Sequence, residues 1–217
     1  MNRKPEAYIL TETYLRFKFE YNQENINKVK RAFKTELSQS FLRNNKNKEV
    51  IKFSIEFEKG SLKTKIIVWG TVLYIGIGNY GSFKAGIREI YNEGKAFSLF
   101  VKDQILQSDE IDEDDILRFE KRTGMPGRIQ EIYKKIENLE RNIPNLSPNE
   151  TQNKLNRIKQ EIANIYDIVD PLEQNEYLAS FDQQYSNNLP NPDDRKTEYL
   201  INRYGTIREE EIEFIEE

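Results

Sequence analysis

Six residues in this sequence are spaced as a phosphate-binding turn would require, since Gly76-Ile77-Gly78-Asn79-Tyr80-Gly81 follows the pattern G-x-G-x-x-G. Glycines at Gly76, Gly78 and Gly81 would allow a tight turn and close backbone approach to a phosphate. A helix opening just after them would offer free N–H groups to the anion. The run follows β-like residues and precedes a helical pattern, as such a cradle requires. The pattern stops there. A dinucleotide unit needs a second strand ending in an acidic residue about 20 positions on, and residues 95–107 still read as helix.

The stretch Ile75–Phe83 also resembles the glycine-rich loop of protein kinases. That resemblance implies nucleotide binding, yet the chain has no V-A-I-K strand, no H-R-D and no D-F-G. A Walker A loop would place Lys after the last glycine, where this chain has Ser82. Nucleotide or phosphate binding through Gly76, Gly78 and Gly81 stays an alternative.

Residue types narrow the chemistry further. There is no histidine and no cysteine. Ser-His-Asp triads, thiolate nucleophiles, disulfides and Cys- or His-based zinc sites are therefore excluded. An enzyme built from this chain would have to use carboxylates, Lys, Tyr, Ser or Arg, which leans the reading away from catalysis. A metal site would be all-oxygen. The acidic run Asp109–Asp115 lacks the glycine of an EF-hand loop, and acids also suit a helix N-terminus. No metal and no cofactor is expected.

A second feature is the uncharged stretch of 18 residues from Ile66 to Phe83, in a chain that is 32% charged. One reading makes it a surface for docking to a membrane or to partner subunits, carried by Ile66, Ile67, Val68, Trp69, Leu73, Tyr74, Ile75 and Ile77. Trp69, Tyr74 and Tyr80 would then sit at the interface. The other reading makes it the last strand of a sheet running into a buried helix start. Periodicity cannot separate strand from helix inside a continuous apolar run.

A third feature is basic. Lys28, Lys30, Arg31 and Lys34 lie off the apolar stripe of a helix and could attract nucleic-acid phosphates. A solvated helix face is the plainer account. Arg118, Lys121, Arg122 and Arg128 flank Gly124–Gly127, where a turn between basic segments could hold a phosphate or an acidic partner.

The elements that must position these residues follow from periodicity. Thr13 to Tyr21 alternates as a strand, and Asn25 to Arg43 repeats at three and four as a helix. Glu49 to Glu58 is a second strand. Lys59-Gly60 is a hairpin turn and Leu62 to Ile66 the returning strand, with Glu56 and Glu58 placed across from Lys63 and Lys65. A β-α-β-β head results. A long helix from Ser82, weakened at Gly94, reaches about residue 107. Ile116 to Arg122 reads as another helical piece, broken at Gly124–Gly127.

Ile129 to Leu139 and Leu155 to Val169 read as two antiparallel helices joined by a Pro/Asn/Ser loop at 142–149. Residues 182–193 read as a linker. A short helix follows, capped by Gly205, then a last helix opened by Thr206 and Glu209. The fold class is α+β. The expected divisions are a head at 1–68, the apolar segment with its long helix at 69–107, a helical region at 108–181 and a tail at 182–217.

Residues 1–100 hold 18 Lys+Arg and 10 Asp+Glu, and the remainder 15 and 27; the halves are +8 and −12, which sum to the chain's −4. Such halves attract each other or face different partners. Met1 to Tyr8 has no apolar run, so a cytoplasmic protein is expected, with membrane association as an option. The resulting expectation is a non-enzymatic assembly or adaptor subunit, with a protein partner or a second copy of itself. It would suit an accessory component of a bacterial multi-gene system such as phage defence.

Overall fold

The computed structural model describes residues 7–32, 52–58, 61–70 and 82–205. The fold is α+β: a four-stranded antiparallel sheet, followed by a mainly helical C-terminal region. The strands are β1 (Tyr8–Glu20), β2 (Lys52–Glu58), β3 (Ser61–Gly70) and β4 (Ile116–Thr123), in the order β2-β3-β1-β4. Helix α1 (Gln23–Ala32) links β1 to β2 in sequence, and α2 (Phe83–Leu106) follows β3.

The alternation of β1 explains why one sheet face is covered. Leu15 and Phe17 are both at 0% exposure, as are Leu62, Ile66 and Val68 of β3. They join Ile87, Ile90, Val101 and Ile105 of α2 in the main core. Ser82 caps α2 by accepting from the Ala85 N–H at 3.3 Å. Gly94 does not interrupt this helix. A Cβ there would lie 2.9 Å from Cβ of Thr11, so the glycine lets helix and strand meet closely. Thr11 donates to the Gly94 carbonyl at 3.2 Å, and Thr13 donates to Ser98 at 2.9 Å. These hydroxyls are buried yet satisfied, as interior polar groups must be.

Residues 116–122, expected as helix, form β4. Two patterns overlap in Ile-Leu-Arg-Phe-Glu-Lys-Arg, and the sheet decides between them. Antiparallel pairing puts Phe119 opposite Leu15 and Ile116 opposite Phe17. It also satisfies the free backbone edge of β1, which a helix at this site would leave unpaired. The sheet therefore draws its fourth strand from well beyond the boundary expected at residue 68. Gly124 then turns β4 into the next helix. Its N–H donates to the Leu10 carbonyl at 3.1 Å, and a Cβ there would collide with the carbonyl oxygen of Ile9 at 1.7 Å.

Helices α3 (Met125–Asn142) and α4 (Pro148–Ile168) form the expected hairpin. The predicted loop hides a capping box in which Ser147 and Glu150 bond each other's backbone N–H, opening α4 at Pro148. Lys135 pairs with Glu161 at 2.7 Å across the hairpin. Tyr8 donates to the Ile168 carbonyl at 2.9 Å and accepts from the Asp170 N–H at 3.1 Å, tying the hairpin to the start of β1. The short α5 (Pro171–Ala179) lies within the expected helical region, and α6 (Gln183–Ser186) falls inside the expected linker. Helix α7 (Asp194–Tyr204) ends at Gly205 as expected. Buried Asn164 accepts from the Asp193 N–H at 2.8 Å and so holds the start of α7 against α4. Thr206 and Glu209 lie outside the described residues.

Candidate functional site

Alternation that buries one face of a sheet delivers every second side chain to the other. On that second face, cross-strand pairing lines the residues up in rows. One row runs Glu58, Lys63, Arg16, Arg118, and the next runs Glu56, Lys65, Tyr14, Glu120. A third runs Ser54, Ile67, Glu12, Arg122. Beyond it, Ile9 and Trp69 pair and pack with Ile67 as a small apolar cluster separate from the main core. Helix α7 adds a side chain to these rows: Arg203 lies 3.8 Å from Glu12.

The charges in these rows are mostly paired. Lys65 bonds Glu58 and lies 3.6 Å from Glu56, and Lys63 lies 3.7 Å from Glu58. The Lys65 ammonium, with Lys63 beside it, holds the Glu58 carboxyl below its ordinary value of 4.5. Arg118 and Arg122 both bond Glu120, the latter at 2.6 Å, and Arg122 also bonds Glu12, which is 3% exposed. Tyr14 is buried beneath these arginines, its ring centroid 4.2 Å from Arg122 and 6.0 Å from Arg118. The outermost row has three cations for one carboxylate, and Arg118 there is 61% exposed. The face thus offers a charged and partly exposed surface with a cationic margin.

The residues singled out from sequence are distributed otherwise. Ile66 and Val68 belong to the main core; Ile67 and Trp69 are 2% and 4% exposed on the second face, with the Trp69 indole donating to Ser54 at 2.9 Å. All four are buried strand residues and offer no exposed docking surface of their own. Leu73, Tyr74, Ile75, Ile77, Gly76, Gly78 and Gly81 lie outside the described residues, as does Lys34.

The basic face of α1 is drawn into the fold. Arg31 grips Glu110 through two bonds of 2.8 and 3.1 Å, Lys28 lies 4.5 Å over Phe19, and Lys30 lies 5.8 Å from Phe57. Lys18 pairs with Asp115 at 2.8 Å and Lys102 with Glu113 at 3.0 Å. The acidic run therefore compensates the basic N-terminal half. Asp112 and Asp115 also close a capping box around a short 3-10 turn at Glu113–Asp115. No group of three or more acidic residues placed to hold a metal occurs among the described residues. Among them, too, no helix is long and apolar enough to cross a membrane.

Sequence reasoning paired Glu56 and Glu58 with Lys63 and Lys65, and these contacts exist. It missed Tyr14, Arg118, Glu120 and Arg122 as one surface, because they were assigned to separate elements. The usable signal was the alternation Arg118, Glu120, Arg122, which has the period of a strand. No protein-family model matches this chain, and no curated protein or solved structure matches it either.

Proposed function

We propose that this chain is a non-enzymatic, cytoplasmic assembly or adaptor subunit that binds an acidic surface on a partner protein through the second face of its sheet. The observation that carries this reading is the outer row, where Lys63, Arg16 and Arg118 stand side by side with Glu58, and Arg118, paired to Glu120 of the next row, is 61% exposed. Charge-paired sheet faces of this kind present a fixed pattern that a partner can match. Complementary charge of this sort sets specificity and association rate more than raw affinity. This reading places docking on the sheet face; of the apolar segment, Ile66 to Trp69 are buried, and Leu73, Tyr74, Ile75 and Ile77 lie outside the described residues.

The test is a comparison of wild type with the double variant Lys63→Glu/Arg118→Glu as baits in cells of the source organism. A protein held by wild type and lost from the variant is purified, and its binding measured against salt. The reading expects binding that weakens steeply with ionic strength. Equal binding by both baits, or no protein that distinguishes them, defeats it. Salt-dependent dimers of the chain alone, seen by sedimentation, would make a second copy the occupant instead.

A further inference from the structure

Away from the sheet face, helices α2 and α3 meet along a seam where charge is arranged differently. Tyr91 of α2 is half-buried, and two ammonium groups converge on its ring: Lys95 at 3.9 Å from the centroid and Lys134 of α3 at 5.3 Å. Lys134 is exposed and Lys95 half-buried. Arg88 lies one turn before Tyr91 on α2 and is exposed.

Four other cations show the alternative arrangement, while Lys28 over Phe19 and Lys84 over Tyr133 each face a ring singly. Lys18, Arg31, Lys102 and Lys135 each sit 2.7–3.0 Å from a carboxylate. Lys95 and Lys134 form no ion pair among the described residues. Of the two acids three residues from Lys134 on α3, Glu131 is engaged by Arg128 at 2.9 Å, and Glu137 forms no ion pair with Lys134. The Lys95 ammonium, with Lys134 beside it, holds the Tyr91 phenol below its ordinary value of 10.0, against the opposing effect of burial. Two positive charges are thus gathered at one tyrosine side chain, and neither forms an ion pair with a carboxylate among the described residues.

We propose that Tyr91, Lys95 and Lys134 form a binding site for a phosphate dianion, free or as a terminal monoester. Two ammoniums balance its two charges, and the phenol O–H supplies a third donor to a tetrahedral oxyanion. Helix packing fixes the relative positions of the donors, since Tyr91 and Lys95 stand one turn apart on α2 and α3 runs alongside. A carboxylate, with one charge and two oxygens, would leave a donor and a charge unused. This site is separate from the sheet face and does not depend on the role proposed for it.

The test is titration of the isotope-labelled full chain with inorganic phosphate and, separately, phenyl phosphate, at ionic strength held constant with chloride. Amide and side-chain resonances of Tyr91, Lys95 and Lys134 should shift saturably. Lys95→Gln and Lys134→Gln should each weaken binding about ten-fold or more, and Tyr91→Phe by less. All three are surface or half-buried changes, and their unchanged melting temperatures keep the reading separate from unfolding. Tighter binding of the ester assigns a monoester ligand, and equal binding assigns the free anion; both sustain the site. Shifts that rise linearly without saturation, or equal binding by Lys95→Gln/Lys134→Gln, overturn it.

Discussion

One sheet builds its two faces from different materials. Toward α2, Leu15, Phe17, Leu62, Ile66 and Val68 are all fully buried in the main core. Away from it, Glu56, Glu58, Lys63, Lys65, Glu120 and Arg122 occupy the alternate positions as ion pairs. The first face draws its free energy from apolar area removed from water, at about 25 cal/mol per Å². The second draws little, because partly exposed ion pairs are worth about 0–1 kcal/mol each. A face that contributes little to stability can be shaped by what it binds, and a face that holds the fold cannot.

This contrast orders the expected effects of substitution. The largest belongs to the covered face. Ile66→Ala should lower stability by about 2–5 kcal/mol, read as a shift of the urea midpoint with an unchanged slope. A loss below about 1 kcal/mol would mean that the main core does not depend on β3.

Glu12→Ala comes next. Its carboxylate is 3% exposed, between Arg122 and Arg203. Removing it leaves two cations facing each other. Both arginines retain access to water, so a loss of about 2 kcal/mol is expected rather than the cost of a fully buried pair. Glu12→Gln should recover part of that stability by keeping hydrogen bonds to Arg122. Equal stability of wild type and Glu12→Ala would show that the second face carries no buried charge of consequence.

A smaller effect concerns pH. Hydrogen bonding from Lys65 depresses the Glu58 carboxyl, whose ordinary value is 4.5. A depressed carboxyl contributes stability that is present above the unfolded value and lost as pH falls through the lower folded value. Stability should therefore decline below about pH 4.5, and less steeply in Glu58→Gln than in wild type. Identical pH dependence of the two proteins would show that the ladder of Glu56, Glu58, Lys63 and Lys65 is energetically idle.

The smallest effect on stability should come from Lys63→Glu/Arg118→Glu. Denaturation should move by no more than about 1 kcal/mol, the worth of the partly exposed pairs with Glu58 and Glu120 that the change removes. A larger loss would turn the outer row from a binding surface into a structural one.

Particular residues show how far the sequence could be read. Leu15, Phe17 and Phe19 alternate so regularly that β1 is legible along most of its length, though it starts at Tyr8, where the alternation gives way to consecutive buried side chains. Glu56 and Glu58 announce their register against Lys63 and Lys65 because ion pairs recur at the strand period. Residues 116–123 are not legible. Their pattern fits two periods, and only pairing with β1, about a hundred positions earlier, selects the strand. The second face is hidden for the same reason, since its rows combine residues from four separated strands. The Tyr91 seam is equally hidden: Lys95 and Lys134 come together only when α2 and α3 pack. At the start of the apolar run, Ile66 to Trp69 owe their character to burial on both faces of a strand, which periodicity alone does not separate from a docking surface.

The central claim is that the second sheet face is where a partner sits. A photo-reactive benzophenone amino acid placed at the exposed position 117, beside Arg118, tests it most directly, with the same group at the exposed position 154 of α4 as control. After illumination in cells, the account predicts one dominant adduct from position 117, to a protein with an acidic surface, and none from position 154. Adducts from position 154 alone, or a position-117 adduct only to another copy of the chain, would contradict it.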